Sequence, residues 1–246
     1  MEKAERLAKV IAKSGIASRR EAEKLIESGR VKVDGNIIKT PVFFVSDENV
    51  VEVDGEKITD NTSDVRLWKF YKPVGYITSR RDPKNRKTIF DIIKINFPRI
   101  LYIGRLDLNS EGLLLLTNNG DLARFLELPK SNIKRTYKVR AYGEINEEII
   151  TRLKKGITIN GVKYGSIDVK VISSKAKNVW LTITLYEGKN REIRKVLEYF
   201  GLSVNRLIRV SFHNFLLGNL KPGEIEEISK HEVMKLEKLL YTREYI

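Results

Sequence analysis

The chain has 246 residues, 41% of them hydrophobic, which is enough to bury a substantial core and excludes a disordered polymer. It holds no cysteine and only two histidines, His213 and His231. That excludes a disulfide framework, Cys-ligated zinc and thiolate catalysis, and argues against a histidine metal site or triad. Lysine and arginine number 46 against 32 acidic residues, for a net charge of +14.

The excess is unevenly spread. Residues 1–60 carry 11 basic and 12 acidic side chains, residues 61–200 carry 28 and 14, and residues 201–246 carry 7 and 6. The middle of the chain is therefore expected to face a polyanion, although a generic lysine-rich surface explains the count as easily. No apolar run is long enough to cross a bilayer, and Met1-Glu2-Lys3 lacks a signal core, so a soluble cytoplasmic protein is expected. Oligomeric state leaves no mark; a monomer is the default.

The first elements predict a small module. Leu7, Val10 and Ile11 have helical spacing, with Gly15 as a stop. Ser18 followed by Glu21 is a capping-box pattern opening a second helix, whose apolar face is Ala22, Leu25 and Ile26 and whose end is Gly29. Val31 to Val33, Asp34-Gly35 and Ile37-Ile38 read as a hairpin, and Asp54-Gly55 marks a further turn after Val50 to Val53. Arg19, Arg20, Lys24, Arg30 and Lys32 cluster away from the acidic stretch 41–60. Such a face suits phosphates, and is as often an ordinary solvated helix. The strings ASRREAEKLI and GRVKVDG make residues 5–58 resemble the S4 RNA-binding domain. That resemblance assigns RNA contacts to Arg19, Arg20, Arg30 and Lys32.

Residues 59–64 are polar and turn-forming, as a linker would be. Beyond them the pattern is mixed. Trp68 to Tyr71 predicts a strand running into the turn Lys72-Pro73-Val74-Gly75, and Leu113 to Leu116 a buried strand. Tyr137 to Val139 and Trp180 to Leu185 alternate as half-buried strands. Ile193, Val196, Leu197 and Phe200 predict a helix closed by Gly201, and Val233, Leu236, Leu239 and Leu240 a C-terminal helix.

The stretch GRLDLNSEGLLLLTNNG carries the chemistry. In an extended segment Arg105 and Asp107 would point to one side and could pair; alone, such a pair reads as a structural ion pair or a turn aspartate. The whole stretch closely resembles the signature of pseudouridine synthases of the small-subunit/large-subunit ribosomal RNA family, many of which begin with an S4 domain. Lys72-Pro73-Val74-Gly75, Arg135-Thr136-Tyr137-Lys138-Val139 and Glu187-Gly188-Lys189-Asn190-Arg191-Glu192-Ile193-Arg194 extend the match, to about residue 230. Departures are small: Ile103 after Tyr102, Ser110 for a frequent threonine, and Asn119 for a usual aspartate.

The resemblance implies the rest. Asp107 becomes the catalytic carboxylate, Tyr137 the ring that stacks on the target base, Arg194 the partner of the carboxylate and Arg105 a further substrate contact, with Lys72 and Arg191 on RNA. No cofactor and no metal are implied, because breaking N1–C1′, turning the base and rejoining it through C5 involves no redox step. The implied fold is α/β (α+β): an S4 domain at 1–60, a linker at 61–66, and a catalytic domain at 67–246 with a mixed, mainly antiparallel sheet, flanking helices and a central cleft. EGKNREIRKVLEYFGLSVNRLIRVSF and LGNLKPGEIEEI look closest to the large-subunit branch. The expected partner is thus 23S ribosomal RNA or a ribosome assembly intermediate, with 16S RNA as the alternative. Two other classes compete: a non-catalytic S4-type RNA-binding or ribosome-assembly protein, and a carboxylate glycosidase using Glu111 as its second acid.

Overall fold

The computed structural model describes residues 4–58, 64–95 and 99–243. The core of the expected linker, including Asn61-Thr62-Ser63, lies outside the described residues. The chain forms two compact units, one from 4–58 with Asp64 and Arg99, the other from 65–95 and 100–243.

In the first unit β1 (Glu5–Arg6) leads into α1 (Leu7–Lys13) and α2 (Arg19–Glu27). β2 (Val31–Val33), β3 (Asn36–Ile38), β4 (Phe44–Val45), β5 (Val51–Val53) and β6 (Glu56–Lys57) follow. The predicted capping box forms: Glu21 N donates to Ser18 Oγ at 3.2 Å and Ser18 N to Glu21 Oε2 at 2.9 Å. Asp34-Gly35 and Asp54-Gly55 all take positive φ, as two-residue hairpin turns require. The resulting sheet, ordered β3-β2-β5-β6, packs Val31, Val33 and Val53 against Leu7, Ile11, Ala22 and Ile26. Arg99 belongs to this unit, its guanidinium donating to the carbonyls of Ala12 and Ala17.

The second unit runs β7 (Leu67–Lys72), β8 (Leu101–Ile103), β9 (Glu111–Thr117), α3 (Gly120–Glu127), β10 (Arg135–Tyr142) and α4 (Glu147–Lys155). It continues with β11 (Ile157–Ile159), β12 (Val162–Tyr164), β13 (Asp168–Lys175), β14 (Asn178–Leu185), α5 (Glu192–Tyr199) and β15 (Ser203–Phe212). β16 (Phe215–Leu216), β17 (Ile225–Glu227) and α6 (Lys230–Arg243) complete it. A nine-stranded sheet runs β13-β14-β10-β15-β9-β7-β17, with β16 on β15 and β8 on β9. Every pairing is antiparallel except β15 with β9. β9 is buried at all seven positions, which explains its unbroken apolar run, while β14 alternates buried and half-buried residues.

Two apolar clusters flank the middle of the sheet. One joins β7, β9 and the end of β15 to α3 and α6; the other joins β10, β13, β14 and the start of β15 to α4 and α5. The last helix corrects one expectation. Val233, Leu236 and Leu240 face the core, but Leu239 is exposed. At 3.6 residues per turn it falls about 60° beyond the edge of their stripe.

Candidate active site

Asp107 sits in the irregular segment between β8 and β9, and five consecutive carbonyls of that segment are anchored. Thr78 Oγ1 donates to Leu106 O (2.9 Å), Ser110 N to Asp107 O (3.0 Å) and Gly75 N to Leu108 O (2.9 Å). Arg194 Nη2 donates to Asn109 O (2.8 Å) and Lys72 Nζ to Ser110 O (2.7 Å). A loop held at every peptide keeps its side chain in one place before substrate arrives.

The Asp107 carboxylate remains about one-third exposed, and Arg191 Nη1 lies 3.7 Å from its Oδ2. It lines a cavity of about 710 Å³, within the roughly 300–1,000 Å³ of small-ligand pockets. Tyr137, buried on the cavity-facing side of β10, lines the same space. So do Arg105, Arg135, Arg191 and Arg209.

Several expected roles change on this geometry. Lys72 is not placed to touch RNA: it is fully buried, and its ammonium donates to the carbonyls of Pro73 and Ser110. Burial pushes it down to about 8, with Asp107 and Glu111 partly opposing. Arg194 is half-buried and forms no direct ion pair with Asp107. Its guanidinium bridges Val204 O (2.9 Å) and Asn109 O, so it supports the loop. Burial and then the nearby Arg191 lower its affinity for its proton, and Asp107 raises it. Arg105 does not pair with Asp107 either, because the segment is irregular rather than extended; it is exposed at the cavity wall. The ion pair belongs to Arg191, the residue preceding α5, whose φ of 51° lies outside the helical pattern.

Glu111 cannot serve as a glycosidase acid. It is buried and accepts from Tyr71 Oη (2.7 Å) and Arg206 Nε (2.6 Å). Burial pushes its carboxyl up, but those two partners outweigh it and hold it below the usual carboxylate range, so it stays ionised. Across the cavity, Glu192 is pushed up to about 7 by burial and by neighbouring Glu187. Glu187 itself is held low, against burial, by Gly165 N and Lys189.

Reasoning from residues missed Thr78, Arg135 and Arg209. The last two had a usable signal. Arg135 shares a strand face with Tyr137, and Arg209 with Leu207, so alternation places each on the buried side. In the first unit Arg19, Arg20, Arg30 and Lys32 are all exposed. Arg30 is engaged by Asp54 through two 2.6 Å contacts.

A carboxylate on a loop hydrogen-bonded at five consecutive carbonyls, an aromatic ring and four guanidinium groups thus line one cavity. The sequence matches the RNA pseudouridylate synthase family over residues 66–199 and the S4 domain over residues 5–51, and the chain belongs to the RNA pseudouridylate synthases. It is therefore an enzyme that makes pseudouridine, with an S4 domain ahead of its catalytic domain. It is 51% identical over 224 residues to a Rickettsia prowazekii protein described as an uncharacterised RNA pseudouridine synthase, covering 91% of this chain and 94% of that one. It is 37% identical to the ribosomal large subunit pseudouridine synthase B of Bacillus subtilis, covering 96% of each. A solved pseudouridylate synthase shares the fold, with a TM-score of 0.68 at 24% identity over 94% of this chain and 99% of the other. Among the described residues no helix is long and apolar enough to cross a membrane.

Proposed function

We propose that this enzyme converts one uridine of 23S ribosomal RNA to pseudouridine, with Asp107 as the carboxylate that meets C1′ of the extruded nucleotide. The large-subunit assignment is supported by the B. subtilis relative named above. The observation that carries the Asp107 role is the fixation of all five carbonyls from Leu106 to Ser110 around a carboxylate that still reaches the cavity.

In this reading the RNA delivers a flipped uridine to the cavity. Extrusion costs a few kcal/mol in lost stacking, and the Tyr137 ring returns roughly 1–3 kcal/mol by stacking on the base. As N1–C1′ breaks, positive charge grows on the ribose and the Asp107 carboxylate stands against it, placed equally for covalent attack. Arg191, with Nη1 3.7 Å from Asp107 Oδ2, puts a positive charge beside the carboxylate and helps to hold it in place. The freed uracil turns, C5 bonds to C1′, C5 gives up its proton and N1 gains one. Arg194 and Lys72 act through the loop, holding Asp107 while the base moves. The S4 face bearing Arg19, Arg20 and Lys32 binds structured RNA through its phosphates.

Chemical mapping of pseudouridine in both ribosomal RNAs, from cells with and without this gene, tests the proposal. One 23S position is expected to lose its signal. A loss confined to 16S RNA would overturn the target, and no loss anywhere would overturn the reading. Asp107→Asn should bind the mapped RNA fragment within a few-fold of wild type and turn over slower by on the order of a thousandfold or more. Full turnover by that variant would remove Asp107 from the mechanism.

A further inference from the structure

The strands β13, β14 and β10 bury one face and leave the other open. On the buried face Val139, Leu181, Ile183 and Val169 pack with Leu153 of α4 and Val196 of α5. Strand alternation turns their neighbours the other way: Lys138, Arg140 and Tyr142 on β10, Trp180 and Thr182 on β14. None of these five belongs to an apolar cluster. Trp180 is the unusual one, because it lies half-buried in the middle of a face with no core to join. Arg140 is directly opposite it on β10 and Ser173 on β13, with Lys138, Lys170 and Lys175 at diagonal positions. The Lys138 ammonium stands 5.0 Å from the Trp180 ring centre. All four cations are exposed, and among the described residues none forms an ion pair. Asp168, opposite Thr184, is the one acidic residue of the three strands.

Lysines on β13 have a simpler use, since it ends the sheet and charge discourages pairing with another chain. That does not account for Lys138 and Arg140 on the interior strand β10, nor for Trp180. Four like charges around one ring repel one another, and a polyanion relieves the repulsion. We propose that this open face is a second RNA-binding surface, on which a single-stranded segment of the substrate stacks a base on Trp180 and sets its phosphates on Lys138, Arg140, Lys170 and Lys175. Lys138 is exposed and free to swing, so its ammonium passes from the ring to a phosphate as the base arrives. Stacking on an aromatic ring amid lysines and arginines accepts any base, as a contact outside the target site requires. An acidic peptide would match the charge but offers Trp180 no flat partner. Arg135 and Tyr137 alternate with Lys138 and Arg140 along β10 and line the catalytic cavity. One strand thus presents the reacting nucleotide with one face and a separate stretch of the same RNA with the other. Two linked contacts hold a long RNA more tightly than either alone. This inference rests on the RNA substrate proposed above and not on the role of Asp107.

Trp180 fluorescence reads this surface directly. The other tryptophan, Trp68, is 3% exposed and is removed in Trp68→Phe. A single-stranded oligouridine of about twelve nucleotides should quench the remaining emission saturably, while a labelled copy reports binding by anisotropy. Replacing Lys138 and Lys170 together by glutamine should weaken the quenching affinity about tenfold at low salt and reduce the salt slope by about 0.7 per lysine. Binding without quenching, quenching that the double variant leaves intact, or no binding at all would overturn the inference. Equal quenching by polyglutamate would overturn it in favour of an acidic protein partner. If Trp68→Phe does not melt like wild type, the wild type is titrated instead, with Trp68 as a constant background. Failure of the Asp107 reading shows separately, as a wild type inactive on the mapped uridine while the quenching persists.

Discussion

Basic side chains do two different jobs in this protein, and water separates them. In the S4 unit Arg19, Arg20 and Lys32 stand exposed on α2 and β2, where their fields are screened and their positions loose. Around the catalytic cavity Lys72, Arg135 and Arg209 are 0%, 7% and 2% exposed, each hydrogen-bonded to main-chain carbonyls. Exposed charge gathers RNA from a distance. Buried charge, once desolvated, fixes atoms in place. Substitutions in the two regions should therefore fail in different ways: the first in affinity and salt dependence, the second in folding and turnover.

The largest structural effect is expected at Gly112, where β9 meets β15. Its φ is +103°, and an added Cβ would lie 2.4 Å from Arg209 O, a backbone atom that cannot swing aside. Gly112→Ala should destabilise the catalytic unit by at least about 1–3 kcal/mol from backbone strain alone, with the clash in addition. Thermal melting checks this, and an unchanged midpoint would mean that the close β9–β15 approach is not needed.

Lys72→Met comes next. Methionine fills the space but cannot donate, so the carbonyls of Pro73 and Ser110 lose a partner, at about 1–3 kcal/mol for each left unsatisfied. Turnover should fall as well, since Ser110 closes the Asp107 loop. The pH dependence has a definite sign. The folded ammonium is lowered from 10.5 to about 8, so between those values the unfolded chain binds more protons and wild-type stability rises with pH. The variant lacks this contribution. Its deficit should widen from pH 8 to 10.5 in denaturant titrations, and a constant deficit would argue against a buried ammonium.

Much of this was legible in sequence because it is local. The Ser18–Glu21 cap, the Asp-Gly turns, the buried run Leu113 to Leu116 in β9 and the alternation of β14 each follow from a few neighbouring residues. Asp107 was singled out by the resemblance of its surrounding stretch, and it lines the cavity. Sheet order was not, since β15 lies between β10 and β9 only through long-range pairing. The roles of Lys72 and Arg194 were hidden for the same reason: their partners Ser110 and Asn109 are 38 and 85 residues away. A lysine buried by distant chain looks in sequence like a lysine in water.

On the exposed side the expected effects are smaller and depend on salt. Replacing Arg19 and Arg20 together by alanine should weaken RNA binding uniformly and reduce the slope of log affinity against log salt by about one per arginine. Arg30 should behave differently although it is equally exposed, because Asp54 already neutralises it through two short contacts. Arg30→Ala is then expected to change the slope by well under one, since little counterion is released from a cation that is already paired. Asp54→Ala should do the opposite: the freed guanidinium becomes available to phosphate, affinity rises at low salt, and the slope steepens by up to about one. If Arg30→Ala instead matches the loss per residue of the Arg19 and Arg20 pair, Asp54 must release its arginine when RNA arrives, and the ion pair describes only the free protein.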